Sequence, residues 1–208
     1  PGWQCDMHAN INVQMNYWPA ENTNLSELHD KYLNYLYNMA MVQPQWQGYA
    51  KERCGQTCGW VNFTENNIFG HCTTWHNDYV EAGAWSCSHL WQHYRYTLDK
   101  EFLRNKALPV MISCVRFWME RLTLAKDGTY ECPNEWSPEH GPDKTVTAHA
   151  QQIVWTLFSN TIDAIKEVGM TDAGVKEEFV NQLTTKFNKL DNGLHNEAYQ
   201  GTFGTTRF

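Results

Sequence analysis

The sequence contains no apolar run approaching the roughly 18 residues that a membrane-spanning helix requires. It therefore offers no helical membrane span. Basic runs are missing too, and the formal net charge is -7 with a pI near 5.7, which argues against a nucleic-acid surface. Its seven cysteines (Cys5, Cys54, Cys58, Cys72, Cys87, Cys114 and Cys132) are too scattered for the disulfide framework of a small secreted scaffold. Being odd in number, they leave at least one thiol unpaired within the chain. Cys87 and Cys114 fall inside helical patterns and read as small buried hydrophobes. Leu and Val are scarce between residues 43 and 80, and so is helical periodicity. The chain opens Pro1-Gly2-Trp3 with neither an initiator Met nor a signal-like apolar segment, and reads as an internal piece of something longer.

Aromatic residues are plentiful, with 10 Trp, 10 Tyr and 9 Phe in 208 residues. A core absorbs most of them, and the surplus suits a groove for sugar rings, whose faces are apolar and whose edges carry hydroxyls. The length allows one domain or a modest pair.

The densest polar stretch runs from Asp6 to Glu21, where apolar residues separate His8, Asn10, Asn12, Gln14 and Asn16. Such alternation predicts an extended segment with one polar face, closed by Tyr17-Trp18-Pro19. Asn24-Leu25-Ser26-Glu27 has capping-box spacing, and Leu25, Leu28, Tyr32, Leu36 and Met39 then predict a helix over 25–41. Residues 43–80 are expected to form a long functional loop. Helical pattern returns over 82–98, with Cys87, Trp91, Tyr94 and Leu98 on one stripe. Asp99 is placed to cap the next helix, which carries Leu108, Ile112, Val115, Trp118 and Leu122, with Pro109 kinking it or lying near a start. Asp127-Gly128 is a turn, and 130–146 is a second irregular stretch. Ile153 to Val168 and Val175 to Phe187 mark two more helices, the first stopped by Gly169. Five helices alternating with long loops give an all-α fold, in which residues from Leu194 onward have no place.

Three constellations bear on chemistry. Cys54, Cys58, His71 and His76 fall within the spacing window of a zinc finger. The surrounding residues fit poorly: Asn62 stands where a large apolar residue belongs, and no basic face accompanies the site. In Glu135-Trp136-Ser137-Pro138-Glu139-His140, Glu139 is either an ordinary exposed loop acid or a poorly solvated one. Desolvation would raise its pKa and keep it protonated near neutrality, as a general acid must be. Finally, His8, Asn10 and Asn12 at period two either tie loops together or face a ligand. Amide oxygens can hold a water by accepting its hydrogens, although an amide is no base.

The run His8-Ala-Asn-Ile-Asn-Val-Gln-Met-Asn-Tyr-Trp-Pro-Ala-Glu21, followed by Asn24-Leu-Ser-Glu27, resembles the opening of the catalytic domain of glycoside hydrolase family 95. Gly83-Ala-Trp85, Leu90-Trp-Gln-His-Tyr94, Thr97-Leu-Asp99 and Ser137-Pro-Glu139 follow in that family's order at similar spacing. The resemblance covers roughly residues 1–190. It implies part of an (α/α) six-hairpin toroid over residues 1–193, with 194–208 an unplaced tail. It implies an exo-acting, inverting α-L-fucosidase acting on fucosylated oligosaccharides or glycans outside the cytoplasm, in the periplasm or secreted, without metal or cofactor. Glu139 then aligns with the general acid, Asn10 and Asn12 with the pair that positions the attacking water, and His8 and Trp85 with groups that hold the sugar. The carboxylate that polarises the amide pair has no match here and belongs to the remainder of the catalytic domain. An α-L-galactosidase of the same family, or a non-catalytic sugar-binding fragment, are the alternatives.

Overall fold

The computed structural model describes residues 6–73, 79–139, 141, 143–144 and 146–193, with backbone alone described at 143–144. The described chain is helical with three short β-ribbons. Strand β1 (Met7–His8) leads into α1 (Asn12–Asn22), and α2 (Ser26–Tyr37) follows and runs into a π-turn over Asn38–Val42. Helix α3 (Gln45–Glu52) precedes β2 (Glu65–Asn66), which pairs antiparallel with β1. Then come α4 (Ala82–Thr97), the short α5 (Lys100–Phe102), a π-turn over Leu103–Ala107 and α6 (Leu108–Arg121). The ribbon β3 (Thr123–Leu124) with β4 (Tyr130–Glu131) and the ribbon β5 (Glu135–Trp136) with β6 (Asp143–Lys144) lead to α7 (Ala148–Val168) and α8 (Glu177–Asn188).

Helix α4 is the hub: it packs against α7, α1, α2 and α6. Its first half carries Ala82, Gly83, Ala84, Ser86 and Cys87, all buried, so neighbouring backbones approach closely. A Cβ on Gly83 would lie 2.6 Å from the ring of Trp60, so only glycine fits. Trp60 stacks on Trp46 with centroids 5.2 Å apart, and its Nε1 donates to the Val110 carbonyl at 3.0 Å. Burying each such ring contributes roughly 2–3 kcal/mol through removal of apolar surface from water.

The expected helices over 25–41, 82–98, 100–121, 153–168 and 175–187 are all present, with boundaries shifted by a few residues. Asp99 caps α5 by accepting from the Glu101 and Phe102 amides, and Pro109 lies in the first turn of α6 behind a π-turn. Gly169, at φ 85°, ends α7.

Four expectations fail. The extended opening segment is a strand, a turn and then a helix, because the buried positions of α1 are Val13, Gln14, Ala20 and Glu21. That stripe has helical period, but two of its four members are polar, so hydropathy alone hides it. The capping box is absent: Asn24 is left-handed (φ 59°), Leu25 stands at the N-cap with no side-chain cap, and Ser26 donates to the Glu21 carboxylate. Leu25 and Leu28 are exposed, the buried stripe of α2 being His29, Tyr32, Leu33 and Leu36. Finally, the long loop contains α3, which two turns and two buried residues, Trp46 and Ala50, were too few to announce. The tail beyond 193 lies outside the described residues.

Candidate functional site

The first turns of α1, α4 and α7 meet the 138–139 loop around a pocket of about 780 Å³. Its walls include His8, Asn10, Asn12, Trp85, Glu139 and His149. All five residues singled out by the family resemblance therefore face one cavity, although they are spread over some 130 residues of sequence. Residues of three helix first turns line this region, and the amides at a helix start favour lone pairs and negative charge.

The turn between β1 and α1 is built by a buried glutamine. Gln14 Nε2 donates to the Ala9 carbonyl at 2.7 Å, while its Oε1 accepts from the Ile11 amide at 3.1 Å. The Ala9 amide donates in turn to the Thr64 carbonyl at 2.7 Å. Between these ties Ile11 is held at φ 134°, a conformation that costs a β-branched residue about 1–3 kcal/mol. The reversal brings Asn10 and Asn12 to the same cavity as His8, the convergence that period two had suggested for a straight strand. Asn10 Oδ1 is buried and has no hydrogen-bond partner among the described residues. A buried carbonyl oxygen without a donor costs free energy, so this atom is suited to accept from a ligand or a water.

His8 is held between two carboxylates. Its Nδ1 lies 3.0 Å from Asp6 Oδ2, and its Nε2 lies 3.9 Å from Glu65 Oε1 across the β1–β2 ribbon. Thr73 Oγ1 donates to Glu65 at 3.0 Å, and Arg53 donates to the Thr73 and Cys72 carbonyls, fixing the outer wall.

Trp85 forms the flat apolar wall. Its ring meets the imidazole of His149 edge to face, with centroids 5.6 Å apart. His149 stacks on the buried ring of Tyr79, and its Nε2 lies 3.2 Å from the Tyr79 hydroxyl. Burial lowers the His149 pKa from 6.5 to about 4, so the ring is neutral at physiological pH. The start of α7 is fixed by Gln151, which accepts from the Cys132 amide at 2.6 Å and donates to the Asp191 carbonyl at 2.7 Å.

Behind this wall lies a group that sequence reasoning missed. Glu81 and Glu135 are both fully buried, and Arg121 Nε donates to Glu135 Oε1 at 2.8 Å. Burial pushes the Glu135 pKa up to about 7 and Glu81 well above the carboxylate range. Neither Glu81 oxygen nor Glu135 Oε2 has a partner if both acids are ionised. One retained proton resolves this: Glu81 stays protonated and donates to Glu135, whose charge is matched by Arg121. Nothing in the spacing of Glu81 and Glu135 advertises the pair, because 54 residues separate them. His149 was missed as a single histidine outside any motif.

Glu139 lines the pocket and is exposed, the first of the two readings that its sequence leaves open. The buried acid of that segment is Glu135. Of the zinc-like set, His76 lies outside the described residues. Among the described residues the groups with metal-ligand spacing are Asp6, His8 and Glu65, and Glu21, His29 and His93. Cys54, Cys58 and His71 belong to neither.

A model of the glycosyl hydrolase family 95 catalytic domain matches residues 1–199. A probable alpha-fucosidase A of Aspergillus niger is 35% identical over 207 residues, covering 94% of this chain and 25% of that protein. Alpha-L-fucosidase 2 of Arabidopsis thaliana is 34% identical over 175 residues, covering 81% of this chain and 20% of that protein. The chain thus spans a quarter or less of these relatives' length. A solved structure, a putative kojibiose phosphorylase from human microbiome, superposes with a TM-score of 0.67 at 10% identity, covering 80% of this chain and 23% of that one. At that identity the likeness bears on the fold, which is a portion of an (α/α) toroid.

Proposed function

The chain belongs to glycosyl hydrolase family 95, and from that premise we propose that it forms the acid-bearing part of an exo-acting, inverting α-L-fucosidase. The observation that carries the reading is the convergence of His8, Asn10, Asn12, Trp85 and Glu139 on one pocket from separate segments. A terminal fucose lies with its apolar face on Trp85 and its hydroxyls toward His8. Glu139 protonates the glycosidic oxygen as the aglycone leaves. Its exposure on the pocket rim suits contact with a leaving group that extends outward. Asn10, with its unpartnered buried Oδ1, and Asn12 accept hydrogen bonds from a water on the opposite face of the sugar. An inverting site leaves room for that water between acid and base, which are then about 6.5–9.5 Å apart. The proton of the attacking water goes to a carboxylate from the remainder of the catalytic domain, since neither amide can take it. Residues 1–193 make up this chain's share of the toroid, and the glycan substrate places the protein outside the cytoplasm.

Replacing Glu139 by glutamine in the complete protein tests the assignment. Hydrolysis of an α-L-fucoside is expected to fall at least 10³-fold while fucose binding survives, because the amide keeps the shape and loses the transferable proton. Unchanged turnover removes Glu139 from the role. Parallel assays with α-L-fucosides and α-L-galactosides, which differ by one hydroxyl at C6, decide the sugar.

A further inference from the structure

We propose that His149 is a substrate-binding residue of this pocket, presenting an Nδ1–H donor to a hydroxyl or ring oxygen of the sugar lying on Trp85. The inference rests on the glycosidase reading above and adds to it a residue that no motif carries. Three observations support it. First, His149 lies in the pocket wall within edge contact of Trp85, the flat surface on which a sugar ring would rest. Second, its other nitrogen is occupied: Nε2 is 3.2 Å from the hydroxyl of the buried Tyr79. Third, the ring is held in position by its stack on Tyr79 and by the anchored first turn of α7.

The tautomer follows from the partners. A phenol is a stronger donor than a neutral imidazole N–H, and an imidazole lone pair is a stronger acceptor than a phenol oxygen. Tyr79 therefore donates and Nε2 accepts, which leaves the single ring proton on Nδ1. Glu81 Oε1 also faces Nε2, at 3.9 Å. Were Glu81 ionised, it would draw a proton onto Nε2 and make the ring cationic. Its proton is retained, so no charge beside the ring opposes the burial that keeps His149 neutral. Nδ1 makes no hydrogen bond to any described residue. The buried carboxyl pair thus lies behind the wall as an uncharged neighbour of the residue that forms it.

The test uses the full-length protein and an α-L-fucoside, with His149→Ala, His149→Asn, His149→Gln and Tyr79→Phe beside Glu139→Gln. An asparagine amide nitrogen sits where Nδ1 sits, and that of glutamine reaches the place of Nε2. His149→Ala is expected to raise KM about 10-fold or more with kcat changed less than 3-fold, the mark of lost binding shared by ground and transition states. His149→Asn should recover most of that loss, His149→Gln should not, and Tyr79→Phe should raise KM a few-fold by freeing the tautomer. An unchanged KM in His149→Ala, or equal behaviour of the asparagine and glutamine variants, overturns the inference while an inactive Glu139→Gln leaves the glycosidase reading standing. Full activity in Glu139→Gln with raised KM in His149→Ala does the reverse. The two near-isosteric amides keep the test decisive should the alanine variant fail to fold.

Discussion

Replacing Glu81 by glutamine asks whether a fully buried carboxyl really keeps its proton. The group's pKa is raised in the folded state by burial and by the neighbouring Glu135, from an unfolded value near 4.5. A raised carboxyl contributes stability that is complete below pH 4.5 and is lost as pH rises toward the folded value. Between pH 4.5 and the folded value the unfolded chain has released this proton and the folded chain still holds it. The difference of one proton makes the unfolding free energy fall by about 1.4 kcal/mol per pH unit. Each pH unit inside that window thus removes a sizeable fraction of the stability of an ordinary domain. Glutamine has the shape of the protonated acid and an N–H to give Glu135, and it does not titrate. Urea unfolding of both proteins at half-unit intervals from pH 6 to pH 8 follows the pair, because Glu135 is the one other titration that the substitution touches. The slope for Glu81→Gln should be shallower by about 1.4 kcal/mol per unit, with the variant the more stable protein at pH 8. Parallel slopes refute the retained proton.

Beside that of His149, the acid limb should carry a contribution from His89, whose pKa burial lowers to about 3. Its depressed value means stability is present above pH 6.5 and lost as pH falls, by about 2 kcal/mol at pH 5, and urea midpoints of wild type and His89→Asn at pH 7 and pH 5 measure it. Gly83→Ala places a methyl 2.6 Å from Trp60, which stacks on Trp46 and bonds to Val110, so the neighbour cannot yield. A loss of about 1–3 kcal/mol and a lower Tm are expected by calorimetry, and an unchanged Tm shows that the α4–Trp60 contact is looser than described. Asn10→Ala removes the orphaned Oδ1. Its expected signature is a fall in kcat of at least 10²-fold with little change in stability, since that atom makes no bond within the described residues.

The five longer helices were legible because apolar residues recur in each at three- and four-residue intervals, most of them buried or packed against the core. Val154, Leu157, Ala164 and Ile165 on α7 are of that kind. Helix α1 was not legible, and the reason is specific. Gln14 and Glu21 are as deeply buried as any leucine, and what stabilises them there is hydrogen bonding to partners that only the folded chain supplies. Gln14 closes the turn to Ala9 and Ile11. Glu21 accepts from His29 and from His93, 72 residues away, each at 2.7 Å. A pattern read by hydropathy counts such residues as surface and turns a helix into a strand.

The same physics explains what was and was not legible in the site. His8, Asn10, Asn12, Trp85 and Glu139 stand in short motifs, and a motif can be recognised without the fold. The pocket's remaining wall is made by tertiary relations: Tyr79 beneath His149, Glu81 beside them, and Glu135 with Arg121 behind. These groups carry no local signature because each depends on a partner in another segment. A buried Glu81 alone would be a defect, and so would a buried Glu135 without Arg121. Together they hold one proton and one matched charge, a neutral arrangement in which burial is tolerable. Glu81 of that group lies 3.9 Å from His149 in the pocket wall. The residues that face the sugar are thus recognisable one motif at a time, whereas the groups that set their protonation become visible only when the chain has folded around them.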